Sequence, residues 1–338
     1  MTGLPAPDAV EELAGPVDNA ALEEIRVAGK PVVLRGLVRE WPAVRQARDS
    51  DAAIVRYLSD CGPTRPVTAI AAAPSQRGRF FYNEAMTGLN FRNGQGRLEA
   101  FLQDLLHAAD LPDPPGMAVQ SEDVADLMPA FARDNRLTLL PDIAPRIWIG
   151  NRIRVAPHFD IKENIACCVA GRRRFTIFPP DQIANLYPGP FELTPAGTPV
   201  SMVDLARPDL DRHPRFMEAW KTAQVATLEP GDAIYIPYCW WHGVESLEPV
   251  SILVNYWWTR GQPDGIGSAY DALLHAILAF RHLPPAQREV WRGMLDYYAF
   301  ESDGDPGAHL PEHARGVLGA ARPDLFERIR AIIRSALR

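Results

Sequence analysis

From residue 146 to residue 258 the chain alternates short apolar runs with turn residues, and this rhythm constrains its fold more than any other feature. The runs are RIWIG, the HFD segment, IACCVA, RFTIF, AIYIP, GVESL and VSILVNYWW. Short runs of this kind, rich in β-branched and aromatic residues and bounded by Gly, Pro and Asp, read as strands. Their close succession predicts a mainly β domain, a sandwich or a barrel. One long polar insertion, containing LYPGP, LTPAGTP and HPRF, separates RFTIF from AIYIP.

The flanks read differently. NAALEEIRVAGKPVVLRGLVREWP predicts a short helix, a Gly-Lys turn, a strand near Pro31 to Leu34 and a stop at Trp41 and Pro42. Residues 49–60 and 97–108 have helical apolar spacing, RFFYNEA offers a short aromatic strand, and NGQG at 93–96 reads as a turn. After residue 264 the apolar period becomes helical again. Three stripes follow: Tyr270, Leu273, Leu274, Ile277 and Leu278; Val290, Trp291, Met294, Leu295 and Tyr298; Leu325, Phe326, Ile329, Ile332 and Ile333. They predict helices that either cover the β domain or join two copies of the chain in a homodimer.

With 338 residues, 47% of them hydrophobic, the chain can bury a large core. Its net charge of -7 argues against a nucleic-acid surface built on bulk basicity. The first residues lack the basic and apolar segments of a secretion signal, and no apolar run reaches spanning length, so no membrane association and a cytoplasmic location are expected. Cys61, Cys167, Cys168 and Cys239 form no C-x-x-C pattern and read as small buried hydrophobes. Only three of the 35 basic residues are lysine, a bias that makes individual arginines less telling.

The chemistry is concentrated in PHFD. His158 and Asp160 are two apart in an extended segment, so both side chains project to one face. A third ligand must come from a distant strand, and His242 in GDAIYIPYCWWHGVES is the best candidate. Two histidines and one carboxylate leave about three open positions on a metal, the arrangement that non-haem Fe(II) oxygenases use. His107, His213, His275, His282, His309 and His313 have no such partner and read as surface residues. Asp232 and Gly231 read as a tight turn, without chemistry.

PHFD, Asn164, GRRRFTIFPPDQ, LYPGP, EPGDAIYIPYCWWHGVES and VNYWW, in this order, resemble the cupin-like, JmjC-type Fe(II) and 2-oxoglutarate dependent oxygenases, related to the asparaginyl hydroxylases that act on hypoxia factors. The sequence looks like a bacterial member. The resemblance runs from KPVVLRGLVREWP to about Trp258. It implies a double-stranded β-helix, the cupin or jelly-roll barrel, in an oxygenase domain over residues 1–262 that includes an N-terminal α/β elaboration, followed by a C-terminal helical region over 263–338. It further implies Fe(II) held by His158, Asp160 and His242, with 2-oxoglutarate as cosubstrate.

In this family a lysine usually pairs with the distal carboxylate of 2-oxoglutarate, and Arg173 stands at its position. Asn164 and Asn255 match asparagines near the metal-chelating end, and Tyr82, or Phe81 beside it, is the nearest match to a tyrosine that binds the distal carboxylate. Val155 stands where relatives often have threonine. Period two separates Arg173 from Arg172 and Arg174; if Phe175 and Ile177 face the lumen, so does Arg173, and there a dicarboxylate would compensate it. Trp240, Trp241, Tyr256, Trp257 and Trp258 read as barrel wall, or as a substrate platform. The implied activity is hydroxylation of a protein or peptide side chain or of a small molecule. The alternatives are a metal cupin without 2-oxoglutarate chemistry and a non-enzymatic sensor of a small acid.

Overall fold

The structure is a computed structural model that describes residues 4–259 and 268–336. The chain divides into two compact units, residues 1–258 and 259–338. In the first, four strands (Ala233–Ile236, Glu163–Ala170, Ser251–Trp258 and Pro145–Gly150) lie side by side within a nine-stranded sheet. Four more (Gln224–Leu228, Arg173–Phe178, Trp241–Ser246 and Arg154–Phe159) lie side by side within a six-stranded sheet. Along the chain these eight strands change sheet at every connection but one. The exception joins Arg173–Phe178 to Gln224–Leu228, antiparallel neighbours linked by the long polar insertion. This is the double-stranded β-helix.

The strand Glu163–Ala170 shows why the apolar run is continuous rather than alternating. Ala166 and Cys168 pack between the sheets with Phe175, Ile177, Ile234 and Leu253. Ile165, Cys167 and Val169 pack on the other side, in a cluster that includes Leu58, Leu102 and Phe131 of the N-terminal elaboration. A strand covered on both faces needs apolar residues at every position. The adjacent cysteines therefore point to opposite faces, and burial raises both thiols, Cys168 to about 12. At the turn into the next strand Gly171 has φ +67, and a Cβ there would meet the Val250 carbonyl oxygen at 2.5 Å. Only glycine fits.

The expected N-terminal helix spans Asn19–Ala28, capped by the Asp18 side chain and ended by Gly29 in the left-handed conformation. Arg26 ties it to the barrel, its Nε and Nη2 donating to the two carboxylate oxygens of Glu163 at 2.8 and 2.9 Å. The strand Val32–Arg35 then pairs with Ala233–Ile236. Asp232 is more than a turn residue: it accepts from the backbone N–H of Gly36 and Glu229 and from the Arg35 guanidinium, at 2.9, 3.0 and 2.6 Å.

Three expectations need correction. Pro42 starts the helix Pro42–Asp49 rather than ending an element, because a helix's first turn does not need the N–H that proline lacks. NGQG is not a turn but part of the edge strand Phe91–Gly96, which pairs with Val67–Ala72; an edge tolerates glycine where a central strand does not. His213 is buried, its ring 4.8 Å from that of Tyr187 inside the insertion.

The second unit contains the helices Ala269–Phe280, Pro285–Tyr298 and Pro323–Ala336. Large apolar side chains of the first two, Leu278, Val290 and Trp291 among them, are exposed. Among the described residues no helix is long and apolar enough to cross a membrane.

Candidate metal centre

His158 lies near the end of the strand Arg154–Phe159 and His242 near the start of its neighbour Trp241–Ser246; the two are directly opposed in the ladder. Opposed residues point to the same face, and the two rings are 4.4 Å apart between centroids. Asp160 follows in the turn, where its carbonyl accepts the N–H of Cys239 at 3.0 Å. Cys239 itself, at φ +59, lies in the separate turn Pro237–Trp240 that leads into the strand carrying His242. One ligand atom from each of His158, Asp160 and His242 lies within 4.8 Å of the others.

Both histidines are oriented by the backbone. Nδ1 of His158 is 3.0 Å from the Ala156 carbonyl and Nδ1 of His242 is 3.0 Å from that of Trp240. A carbonyl accepts only, so each Nδ1 carries the proton and each Nε2 presents a lone pair. Nε2 of His242 is 3.6 Å from Oδ2 of Asp160. Burial, and next the neighbouring His242, pull the His158 pKa below the usual imidazole range, with Asp160 opposing. The neutral ring is the form that binds a metal.

These residues open into a cavity of about 330 Å³ between the two sheets. Asn255 donates through Nδ2 to Oδ1 of Asn164 at 2.9 Å, while its own Oδ1 is buried without a partner among the described residues. Arg173 is 4% exposed, and its Nε donates to Oγ of Ser251 at 3.0 Å. Burial draws its guanidinium down to about 10, and among the described residues no carboxylate pairs with it. Its neighbours behave as the period requires: Arg172 and Arg174 are exposed and paired with Glu248 and Glu245. Val155 lines the cavity, as does Trp257.

Tyr82 is not on that wall, nor is Phe81. The Tyr82 ring packs in a separate cluster with Phe81 and Val200, and its buried hydroxyl has no partner among the described residues. The cause is the short strand Arg79–Phe80, which pairs with the far edge of Arg154–Phe159 and carries the aromatic segment outside the barrel. Of the aromatic run, Trp257 faces the cavity, stacked edge-on with Trp148 at 5.0 Å, whereas Trp241 is buried in another cluster with Phe178 and Phe216.

Sequence reasoning missed Ser251, although period two from Asn255 through Leu253 puts it on the same face. It also missed Gln120 and Ser121, which line the cavity from the strand Gly116–Asp123. They sit at a bulge between Val119 and Glu122, with Ser121 at φ +55 and held by Arg146. Nothing in the sequence marks this bulge.

The sequence pattern of the family described as "Cupin-like domain" matches residues 18–263. The chain belongs to the cupin-like domain family. Among curated proteins, this cupin-like chain is 38% identical over 115 residues to the HSPB1-associated protein 1 homolog of Danio rerio, covering 33% of the chain and 24% of that protein. It is 28% identical over 247 residues to lysine-specific demethylase 8 of Xenopus tropicalis (69% of the chain, 49% of that protein). It is 27% identical over 251 residues to JmjC domain-containing protein D of Dictyostelium discoideum (68% and 52%). The chain thus spans about half or less of the length of these relatives.

Fe(II) and 2-oxoglutarate fit the residues of this cupin-like site. Two imidazole Nε2 atoms and one carboxylate oxygen suit a divalent iron with open positions. A buried guanidinium without an acid partner among the described residues suits one end of a dicarboxylate.

Proposed function

We propose that the protein is an Fe(II) and 2-oxoglutarate dependent oxygenase that hydroxylates a protein or peptide side chain. The observation that carries this reading is Arg173: a buried cation with no carboxylate partner, on the wall of the same cavity as the His158, Asp160 and His242 cluster. A lone buried guanidinium is costly, and a dicarboxylate cosubstrate removes the cost. In this reading His158, Asp160 and His242 hold the iron, Arg173 and Ser251 receive the distal carboxylate, and Asn164 and Asn255 orient the chelating end. Trp148, Phe175, Leu253 and Trp257 exclude water. The iron, when bound, supplies O2 activation coupled to oxidation of the cosubstrate.

A protein substrate is supported by relatives named as lysine-specific demethylases. A small-molecule substrate is the second possibility within the same chemistry. The test is anaerobic loading with Fe(II), then 2-oxoglutarate and O2, with succinate measured alone and with candidate peptides. Incorporation of one oxygen into a stable product indicates hydroxylation; formaldehyde from a methylated lysine indicates demethylation. Absence of 2-oxoglutarate turnover, including the uncoupled reaction, would overturn the oxygenase reading in favour of another metal cupin or an acid sensor.

A further inference from the structure

A second cavity, of about 630 Å³, lies against the six-stranded sheet on the side away from the metal. Val155 and Val244 line both cavities, so the sheet itself is the partition. The outer cavity has a charged row and an apolar remainder. Arg79, Arg154, Glu245 and Arg174 are successive register partners across four adjacent strands. Two positions along lie Thr176, Gly243 and Val225, again in register. Beyond the sheet, Leu205, Val203 and Trp220 complete an apolar wall, and Trp220 donates through Nε1 to the Pro5 carbonyl at 2.8 Å, which fixes the Leu4–Pro7 segment along the rim.

The charges do not balance. Glu245 is paired with Arg174, which leaves Asp204 for both other guanidiniums, 3.4 Å from Arg154 and a loose 3.8 Å from Arg79. Nη2 of Arg79 is buried without a hydrogen-bond partner among the described residues, while its guanidinium carbon lies 3.7 Å over the Phe81 ring. An adjoining groove of about 400 Å³ shares Arg154 and Glu245 and adds Arg77, Arg152 and Arg207. Among the described residues none of these three is paired with a carboxylate. In a chain of net charge -7 this concentration of arginine is local.

We propose that the outer cavity binds a small amphipathic anion, a carboxylate or phosphate carried on a short hydrocarbon chain. The head group lies at Arg79 and Arg154, where a guanidinium fork offers two parallel donors. The tail lies against Leu205, Trp220 and Val225. Buried donors without partners are rare in folded proteins. An uncharged apolar ligand would leave Nη2 of Arg79 without a hydrogen-bond partner, and a bare inorganic anion would leave the apolar wall wet. The volume is that of a small-molecule site. The proposal does not depend on the oxygenase reading, since it uses neither the metal cluster nor Arg173.

Calorimetric titration of the whole protein with octanoate, octyl phosphate and inorganic phosphate tests it. One amphiphile should bind with one-to-one stoichiometry, about tenfold or more tighter than phosphate, and the preferred head group identifies the source. Saturating 2-oxoglutarate with Zn(II) should not displace it. Arg79→Gln should weaken binding about tenfold or more. Val225→Trp, which keeps every charge and fills the apolar side, should abolish it and decides the matter if Arg79→Gln does not fold. No binding of either amphiphile at millimolar concentration would overturn the proposal. Displacement by 2-oxoglutarate, wild-type affinity in a folded Arg79→Gln protein, or phosphate binding as tightly as octyl phosphate would do the same.

Discussion

Replacing Arg173 with methionine should separate two quantities that usually move together, stability and ligand affinity. The guanidinium is 4% exposed, holds one hydrogen bond from Nε to Ser251 and, among the described residues, has no acid partner. Burial lowers its pKa from 12.5 to about 10, a penalty on the order of 3 kcal/mol against the charged form at neutral pH. The sign follows from linkage: a cation whose folded pKa lies below its unfolded value costs stability at every pH where it is charged in both states, and the cost fades only as pH rises through the folded value. Methionine is of similar length, carries no charge and leaves little void. Arg173→Met should therefore unfold at the same temperature as the wild type or higher when no ligand is present. Binding should move the other way. Loss of one desolvated, charge-assisted pair costs about 2–5 kcal/mol, which weakens 2-oxoglutarate roughly 30-fold to over 1000-fold. Anaerobic calorimetry with Zn(II) or Fe(II) reads the affinity, and thermal melts with and without 2-oxoglutarate read the stability. Arg173→Lys should keep part of the affinity. A methionine variant that binds within twofold of wild type, or that is markedly less stable without ligand, would refute the role assigned to this charge.

Alanine at His158, Asp160 or His242 should abolish tight metal binding while far-UV circular dichroism stays unchanged; full iron occupancy in any one variant removes that residue from the centre. Asp232→Ala should lower stability by about 2–4 kcal/mol in urea, since three donors lose one acceptor, with metal content per folded molecule unaffected. The exposed apolar faces of Ala269–Phe280 and Pro285–Tyr298 should join two copies of the chain. Light scattering of the intact protein and of a chain ending near residue 263 checks this, and an intact monomer at micromolar concentration counts against it.

The parts of the fold that were legible from sequence are those in which the local pattern reports burial directly. IACCVA is apolar at every position because both faces of its strand are covered, and the helical stripes after residue 268 are true helices. The strands Val67–Ala72, Phe91–Gly96 and Gly116–Asp123 were not legible, because they extend a sheet that already exists and borrow stability from its edge. In the site, His158, Asp160 and His242 could be assembled from period two and one long-range guess. Tyr82 could not be placed, because its position depends on which edge of the barrel the short strand Arg79–Phe80 joins, a non-local choice.

The arginine run 172–174 shows how much a two-residue period can carry once the sheet is known. The strand Arg173–Phe178 is the partition between the two cavities, and adjacent residues on it serve opposite sides. Arg173 points in, where it bonds Ser251 and, among the described residues, pairs with no acid. Arg174 points out, where it takes Glu245 and thereby denies that carboxylate to Arg154. The first arrangement leaves a buried cation beside the His158, Asp160 and His242 cluster, and the second leaves Arg79 and Arg154 sharing Asp204 on the outside. A one-residue slip of this strand would exchange the two faces and place Arg172 and Arg174 in the lumen. The apolar residues that alternate with them, Phe175 and Ile177 on the inner face, oppose that slip. The core packing that fixes the register thus also fixes which guanidinium each cavity receives.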